Sequence, residues 1–140
     1  MKSVMRSLTI LSFALLFAPV SGCSGETEDH AVKIAEEWLQ LVDQGKYEDS
    51  WKEAATLFRA AVTVEQWQQA LDAAHKPLGE LKSRKLKGAE YMTSVPWAPD
   101  GEYVVIQFDA SFSKKESAVE TVTPMKDGDG AWRVGGYYIK

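Results

Sequence analysis

The sequence has few residues of the kinds that form disulfides, metal sites or nucleic-acid contacts. Its 140 residues include one cysteine and two histidines, so the chain forms no internal disulfide and has no His/Cys cluster for a metal. We therefore predict neither a metal nor a cofactor. The formal net charge is −4, and an acidic chain gains no general electrostatic attraction to nucleic acid. After residue 22 no apolar run is long enough to cross a membrane.

The single cysteine, Cys23, follows a hydrophobic leader. Two basic residues precede an apolar run over residues 8–20, a pattern typical of a secretory signal peptide. The sequence Val20-Ser21-Gly22-Cys23 resembles the lipobox of bacterial lipoproteins, in which the cysteine is lipidated and becomes the new N-terminus. This resemblance implies that residues 1–22 are removed and that a lipid on Cys23 holds the protein at a membrane.

The residues after Cys23 carry two further predictions. Ser24 stands where an aspartate would indicate retention in the inner membrane of many Gram-negative bacteria, so the resemblance implies the periplasmic face of the outer membrane. Residues 23–29 are short, polar and acidic, and we predict a lipidated cysteine with a flexible tether. Residues 30–140 are enough for one domain.

Apolar residues recur at helical spacing in three segments of the first half of the chain. The first segment begins at Ala31 and is ended by Gly45. The second segment runs from Tyr47 to Phe58. The third opens with a capping box over residues 63–66 and is stopped at Pro77.

After Gly79 the apolar period changes to two, which is typical of strands. The alternating runs predict strands over residues 80–93, 103–112, 119–125 and 132–138. Because runs of helices precede runs of strands, we predict an α+β fold. Its N-terminal helices pack on one face of a curved antiparallel sheet of about four strands.

Several motifs in order along the chain carry a family resemblance. They are Trp38-Leu39, Val42 to Tyr47, Ser50-Trp51, Phe58-Arg59, Trp67, Pro77 to Gly79, Ser83 to Leu86, Pro99 to Tyr103 and Glu120 to Pro124. With them the chain resembles a bacterial domain-of-unknown-function family, the one numbered four thousand and nineteen. The element order resembles the nuclear-transport-factor-two-like, or cystatin-like, cone. The resemblance implies a fold and assigns no catalytic residue.

The tryptophans support two interpretations. Trp38, Trp51 and Trp67 lie on the apolar faces of successive helical segments, and this spacing favours core packing. The alternative is that they line a ligand pocket between the helices and the sheet. Trp97 lies in a loop between two prolines, where an exposed aromatic side chain would be a candidate anchor for a partner.

A local basic cluster is the second candidate binding feature. Its members on the first predicted strand are Lys82, Arg84, Lys85 and Lys87. Lysines commonly protect an edge strand from aggregation. The alternative is a docking patch for an anionic surface such as lipid head groups.

No constellation of a nucleophile, a base and oxyanion donors is recognisable in the sequence. The leading hypothesis is therefore a membrane-anchored, non-catalytic module that binds an unidentified protein or small molecule. The first alternative is a small enzyme of the isomerase or hydratase type that uses Asp109, Glu120 or His75 in a cavity. Asp109 alternates away from the apolar face, whereas the orientation of Glu120 depends on the strand register.

The second alternative is a homodimer in which two sheets pack face to face. Its contact residues would be on the outer face of the second predicted strand, at Tyr103, Val105 and Gln107.

Overall fold

The first half of the chain is helical, and the second half forms a sheet. The computed structural model describes residues 23–140, so the predicted leader over residues 1–22 lies outside the described residues. The helices are α1 (Cys23–Asp43), α2 (Tyr47–Lys52), α3 (Thr56–Ala61) and α4 (Val64–His75). The strands are β1 (Leu81–Met92), β2 (Tyr103–Phe112), β3 (Lys115–Lys126) and β4 (Trp132–Ile139). The predicted α+β arrangement is confirmed.

Helix α1 begins earlier than the apolar pattern predicts. Residues 23–29, for which we predicted a flexible tether, belong to this helix. The side chain of Glu28 accepts a hydrogen bond from the backbone N–H of Tyr91 at 3.1 Å, so this end of α1 is held on β1. Glu26 in the first turn also interacts favourably with the helix dipole. The N-terminal end of α1 therefore lies close to the end of β1.

The second predicted helix is divided into the short helices α2 and α3. Between them Ala55 has an extended backbone, and its N–H donates a hydrogen bond to the carbonyl oxygen of Val134 at 2.8 Å. This bond holds the chain on β4 where a continuous helix would carry it away. The prediction of one helix over residues 47–58 was wrong, because local periodicity does not report a bond to a residue far along the chain.

Helix α4 begins with the predicted capping box. The Thr63 hydroxyl accepts from the backbone N–H of Gln66 at 3.2 Å, and the Gln66 side chain accepts from the backbone N–H of Thr63 at 3.0 Å. After the helix, Gly79 adopts a φ of 75°, which glycine tolerates without strain. A Cβ atom at Gly79 would also clash with Ser113 Oγ, so glycine is strongly favoured in this turn into β1.

The four strands form one antiparallel sheet in the order β1-β2-β3-β4. β1 and β4 are therefore its two edges. The register between β1 and β2 shifts at Lys82 and at Lys87, which makes each of these lysines the extra residue of a β-bulge. The helices cover one face of the sheet, and α1 contacts all four strands.

The space between the helices and the sheet is filled by a cluster of aromatic and aliphatic side chains. The rings of Phe58 and Trp67 pack edge to face with centroids 4.9 Å apart. On the sheet side, Tyr137 of β4 packs against Trp38, with centroids 5.5 Å apart. Such aromatic pairs contribute about 0.5–1.5 kcal/mol beyond the area that they bury.

Candidate functional site

A charged pair lies beneath the helices on the inner face of the sheet. Glu120 of β3 has a fully buried side chain, and the Arg84 side chain of β1 is 13% exposed. Arg84 Nε donates a hydrogen bond to Glu120 Oε1 at 2.7 Å. Because a buried charge without a partner destabilises a fold by several kcal/mol, each of these residues needs the other.

Small side chains on the sheet make this pair possible. Arg84 lies opposite Ala110 in the β1–β2 register, and Ala110 lies opposite Ala118 in the β2–β3 register. Two alanines across the inner face leave room for the long arginine side chain to cross β2. The guanidinium group thereby reaches Glu120, the next inward-facing residue of β3 after Ala118.

The pair extends in both directions into a polar network, which we define as Asp43, Arg84, Glu120, Tyr137 and His75. The Nη1 and Nη2 atoms of Arg84 donate to Asp43 at the end of α1, at 2.7 and 2.9 Å. This bidentate geometry is the strong form of an arginine–carboxylate contact. Tyr137 Oη donates to Glu120 Oε2 at 2.7 Å, and His75 Nε2 lies 3.1 Å from Tyr137 Oη. Both Glu120 oxygens are thus hydrogen-bonded.

The hydrogen-bond directions in the network define the tautomer of neutral His75. Tyr137 has a single hydroxyl proton, which it donates to the Glu120 carboxylate. His75 Nε2 must therefore carry a proton and donate it to Tyr137 Oη. The other ring nitrogen, Nδ1, is then an acceptor, and no residue from 23 to 140 forms a hydrogen bond with it.

The buried position of the network shifts three pKa values. Burial raises the pKa of Tyr137, and the charge of Glu120 raises it further. Burial lowers the pKa of His75, although Glu120 and Asp43 oppose that shift. Burial also lowers the pKa of Arg84, but the hydrogen bonds and charges of Asp43 and Glu120 outweigh burial and raise it overall. At neutral pH the network therefore holds a charged arginine, a protonated tyrosine and a neutral histidine.

Both ends of the polar network line one cleft. This cleft has a volume of about 700 Å³ and lies between the ends of α1 and α4, the start of α2 and the start of β1. Asp43 and His75 border it, whereas the middle of the network lies behind it. Its other polar lining residues are Tyr47, Asp72, Lys76 and Glu80. His75 thus borders the cleft together with carboxylates.

The structure brings two of the three candidate catalytic residues together and places the third elsewhere. Glu120 and His75 are joined through Tyr137. Asp109 is exposed on the outer face of the sheet, opposite Lys85 in the β1–β2 register, in agreement with its predicted orientation. Both Glu120 oxygens are already hydrogen-bonded to neighbours, so Glu120 is not a free base.

Sequence reasoning missed Asp43 and Tyr137 as site residues, and it missed the role of Arg84. We predicted Arg84 as part of an exposed basic cluster, but its side chain is largely buried and is bound by Asp43 and Glu120. A signal was present in β3, where Glu120 interrupts an otherwise apolar alternation. A buried acid on an inner face requires a cation, and the arginine among lysines on β1 was a candidate.

The remaining members of the basic cluster, Lys82, Lys85 and Lys87, are exposed on the edge strand β1. We refer to them below as the β1 lysines.

The tryptophans of the helices are held by hydrogen bonds in the interior. Trp38 Nε1 donates to the Ser50 carbonyl oxygen at 2.8 Å, and Trp67 Nε1 donates to Ser50 Oγ at 2.9 Å. Trp51 is partly buried, and its Nε1 donates to the Val62 carbonyl oxygen at 2.7 Å. Trp38 also lines a second cleft of about 630 Å³ between α1, α2 and β4. Trp38 and Trp67 are therefore core residues, and Trp38 also borders this second cleft.

The loop after β1 folds over the outer face of the sheet. Trp97 is 52% exposed and packs edge to face against Tyr103, with centroids 6.0 Å apart. A Cβ atom at Gly136 would lie 3.3 Å from the Trp97 ring. The absence of a side chain at Gly136 therefore allows the ring to pack closely against β4. Tyr103 is 1% exposed and is thus unavailable for the predicted homodimer contact, whereas Val105 and Gln107 are partly exposed.

The described residues contain neither a metal-binding cluster nor a membrane-spanning helix. Within residues 23–140, no three or more His, Cys, Asp or Glu side chains are grouped so that they could hold a metal ion. No helix in this part of the chain combines the length and the apolar character needed to cross a membrane.

Comparison with protein families identifies one that covers most of the chain. A family described as "Protein of unknown function (DUF4019)" matches residues 34–137. The match confirms the family predicted from the sequence motifs, and it includes every residue of the polar network. Comparison with curated proteins finds no match.

Proposed function

This chain belongs to the DUF4019 family, whose description names no activity, and we propose from its own residues that it is a lipid-anchored binding module of the bacterial envelope. Cys23 carries the lipid, residues 1–22 are a cleaved signal peptide, and the domain stands on the periplasmic face of the outer membrane. Its ligand site is the cleft bordered by His75 and Asp43. The module acts by binding and does not catalyse a reaction.

The anchor is supported by the pattern at the start of the chain. An apolar run precedes the small residues Ser21 and Gly22, and the only cysteine follows them. Stable membrane attachment requires more than one acyl chain, and the lipid of bacterial lipoproteins, which the motif resembles, carries at least two. Helix α1 begins at Cys23, so such a lipid would lie directly at the end of the folded domain.

The observation that carries the binding site is that both ends of a buried polar network reach the same cleft. A buried ion pair adds little net stability compared with apolar side chains of similar size. The network does, however, hold His75 in one tautomer and one orientation, with Nδ1 as an unused acceptor. Asp72 and Glu80 add acceptors at the cleft. This arrangement suits a small ligand that carries hydrogen-bond donors.

The anchor is tested by intact-mass spectrometry of the protein extracted from bacterial membranes. We expect a chain that begins at Cys23 and carries the added mass of a lipid. The Cys23→Ser variant should lose the lipid and leave the membrane fraction. An unmodified chain in the soluble fraction of wild-type cells would contradict the anchor.

The ligand site is tested by native mass spectrometry of the gently purified protein. We expect a retained small-molecule mass in the wild type and a loss of it in the His75→Ala variant. His30 lies on the exposed part of α1, so His30→Ala is the matched control and should retain the ligand. A bare wild-type protein, or equal retention in both histidine variants, would contradict a ligand site at this cleft. Turnover of the bound molecule would favour the enzyme alternative.

A further inference from the structure

The β1 lysines lie close together on an exposed edge strand, and none of them has an acidic partner among the described residues. Lys52 pairs with Glu48 at 2.9 Å, and Lys126 pairs with Glu102 at 3.2 Å. Lys82, Lys85 and Lys87 form no ion pair with any residue from 23 to 140. The only acid opposite them in register is Asp109, which faces Lys85. The β1 edge therefore carries positive charge that the fold itself does not neutralise.

An exposed leucine lies among these lysines. Leu86 is 44% exposed and belongs to neither of the two hydrophobic clusters of the described residues. The neighbouring Lys87 is the extra residue of a β-bulge. Lysines on bulges are sufficient to keep an edge strand from aggregating, but that role gains nothing from an exposed leucine. Binding to a membrane interface grows with the apolar area that enters it and with the attraction between basic residues and anionic lipids.

The β1 edge is also continuous with the proposed anchor. Glu28 binds the backbone of Tyr91 near the end of β1, and Cys23 lies five residues earlier in α1, which is about 7.5 Å along a helix. Leu86 is five residues before Tyr91 in β1, or about 17 Å along a strand. Both lengths are short compared with the size of the domain, so a membrane held at Cys23 is within reach of the β1 edge.

We infer that the β1 edge is a second membrane contact, in which the β1 lysines bind anionic phospholipid head groups and Leu86 enters the interface. This inference rests on the proposed anchor at Cys23, which places a membrane at that end of the edge. A lysine near an anionic bilayer surface contributes attraction that falls off with added salt. The contact would hold the domain with its β1 edge towards the lipid and its β4 edge away from it.

The experiment uses the lipidated protein in vesicles with a fluorescent label at one of two positions. Because Cys23 is consumed by its lipid, the Leu86→Cys variant has one reactive thiol, and the Tyr138→Cys variant is its control on β4. Leu86 and Tyr138 are 44% and 51% exposed. We expect a nitroxide-bearing lipid to quench the label at position 86 several-fold more than the label at position 138. This difference should appear in phosphatidylglycerol-containing vesicles and decrease in pure phosphatidylcholine or at high salt.

Charge reversal separates the lysines from the anchor. Lys82→Glu with Lys87→Glu changes the two bulge residues, which have no partner opposite them in register. This pair should reduce quenching at position 86 to the level at position 138. Lys33→Glu with Lys46→Glu, at exposed sites on α1 and before α2, makes the same change of charge and should leave quenching unchanged.

Equal quenching at the two positions, or none at position 86 in a protein that floats with the vesicles, would overturn the β1 contact. Failure of the anchor gives a different result, because the protein would then not float and Cys23 itself would react with the label. In that case Cys23→Ser is added, so that position 86 alone carries the label, and this protein is titrated with phosphatidylglycerol-containing vesicles. Absence of quenching there would overturn the β1 contact as well.

Discussion

The two edges of the sheet have the same topology but very different surroundings. No residue of β1 is fully buried, and most are exposed, whereas Tyr138 is the one exposed residue of β4. β4 is covered on both faces, by Tyr137 contacts with the helices and by Trp97 over Gly136. Burial at a sheet edge therefore depends on which other parts of the chain pack over it.

β1 contributes partly buried side chains to the interior, among them Leu81, Ala89 and Tyr91, whereas β4 also contributes the fully buried Val134. Arg84 connects β1 to the polar network. β4 supplies Val134 to the core cluster, with Trp132 and Tyr137 packed against that cluster. Variants should therefore distinguish Arg84 from the exposed positions beside it on β1, and the helix-covered face of β4 from its outer face.

The largest effect is expected at Arg84. Arg84→Ala leaves Glu120 buried without its cation and should lower the free energy of unfolding by about 3–5 kcal/mol. The neighbouring exposed Lys85→Ala should change it by less than about 0.5 kcal/mol. Urea denaturation followed by tryptophan fluorescence measures both. Similar values for the two variants would show that the ion pair does not distinguish Arg84 from the rest of β1.

Two tryptophans that pack on opposite faces of β4 should contribute differently to the free energy of unfolding, measured by the same urea denaturation. Trp38 packs on Tyr137 from the helix side and is 4% exposed, while Trp97 packs over Gly136 from the outer side and is 52% exposed. We expect Trp38→Ala to cost about 3–5 kcal/mol. Trp97→Ala should cost about 1 kcal/mol, because roughly half of its surface stays in water. If Trp97→Ala cost as much as Trp38→Ala, the outer face of β4 would be packed as tightly as its helix-covered face, which would contradict this expectation.

The free energy of unfolding should depend on pH through His75 of the polar network. Burial lowers the pKa of His75 in the folded state, so the unfolded chain binds more protons at acidic pH. The stability that comes from neutral His75 is complete above pH 6.5, the ordinary histidine pKa, and is lost as the pH falls from there through the folded pKa. His75→Gln should flatten this part of the stability curve, and His30→Gln should leave it unchanged. Parallel curves for the wild type and His75→Gln would contradict the assignment.

The parts of the fold that depend on local sequence were predictable. The capping box of α4 needs only Thr63 and Gln66, and strand alternation needs only neighbours along the chain. The break between α2 and α3 depends on a bond from Ala55 to Val134, and no local pattern contains it.

The candidate site could not be predicted because its contacts also join residues that are far apart in the sequence. In the sequence Arg84 is one basic residue among lysines, and only the strand register shows that it lies near Glu120. Because a shift of one residue would turn Glu120 to the opposite face, the sequence alone left its orientation open. Tyr137 and His75 enter the site only through their hydrogen bonds.

The most direct test of the two-edge account is hydrogen exchange of the lipidated protein, measured by mass spectrometry in detergent and in phosphatidylglycerol-containing vesicles. We expect peptides from β1 (Leu81–Met92) to exchange more slowly in vesicles, because the free edge then faces lipid, while peptides from β4 (Trp132–Ile139) are unchanged. Unchanged exchange in β1, or equal slowing of both strands, would contradict the account.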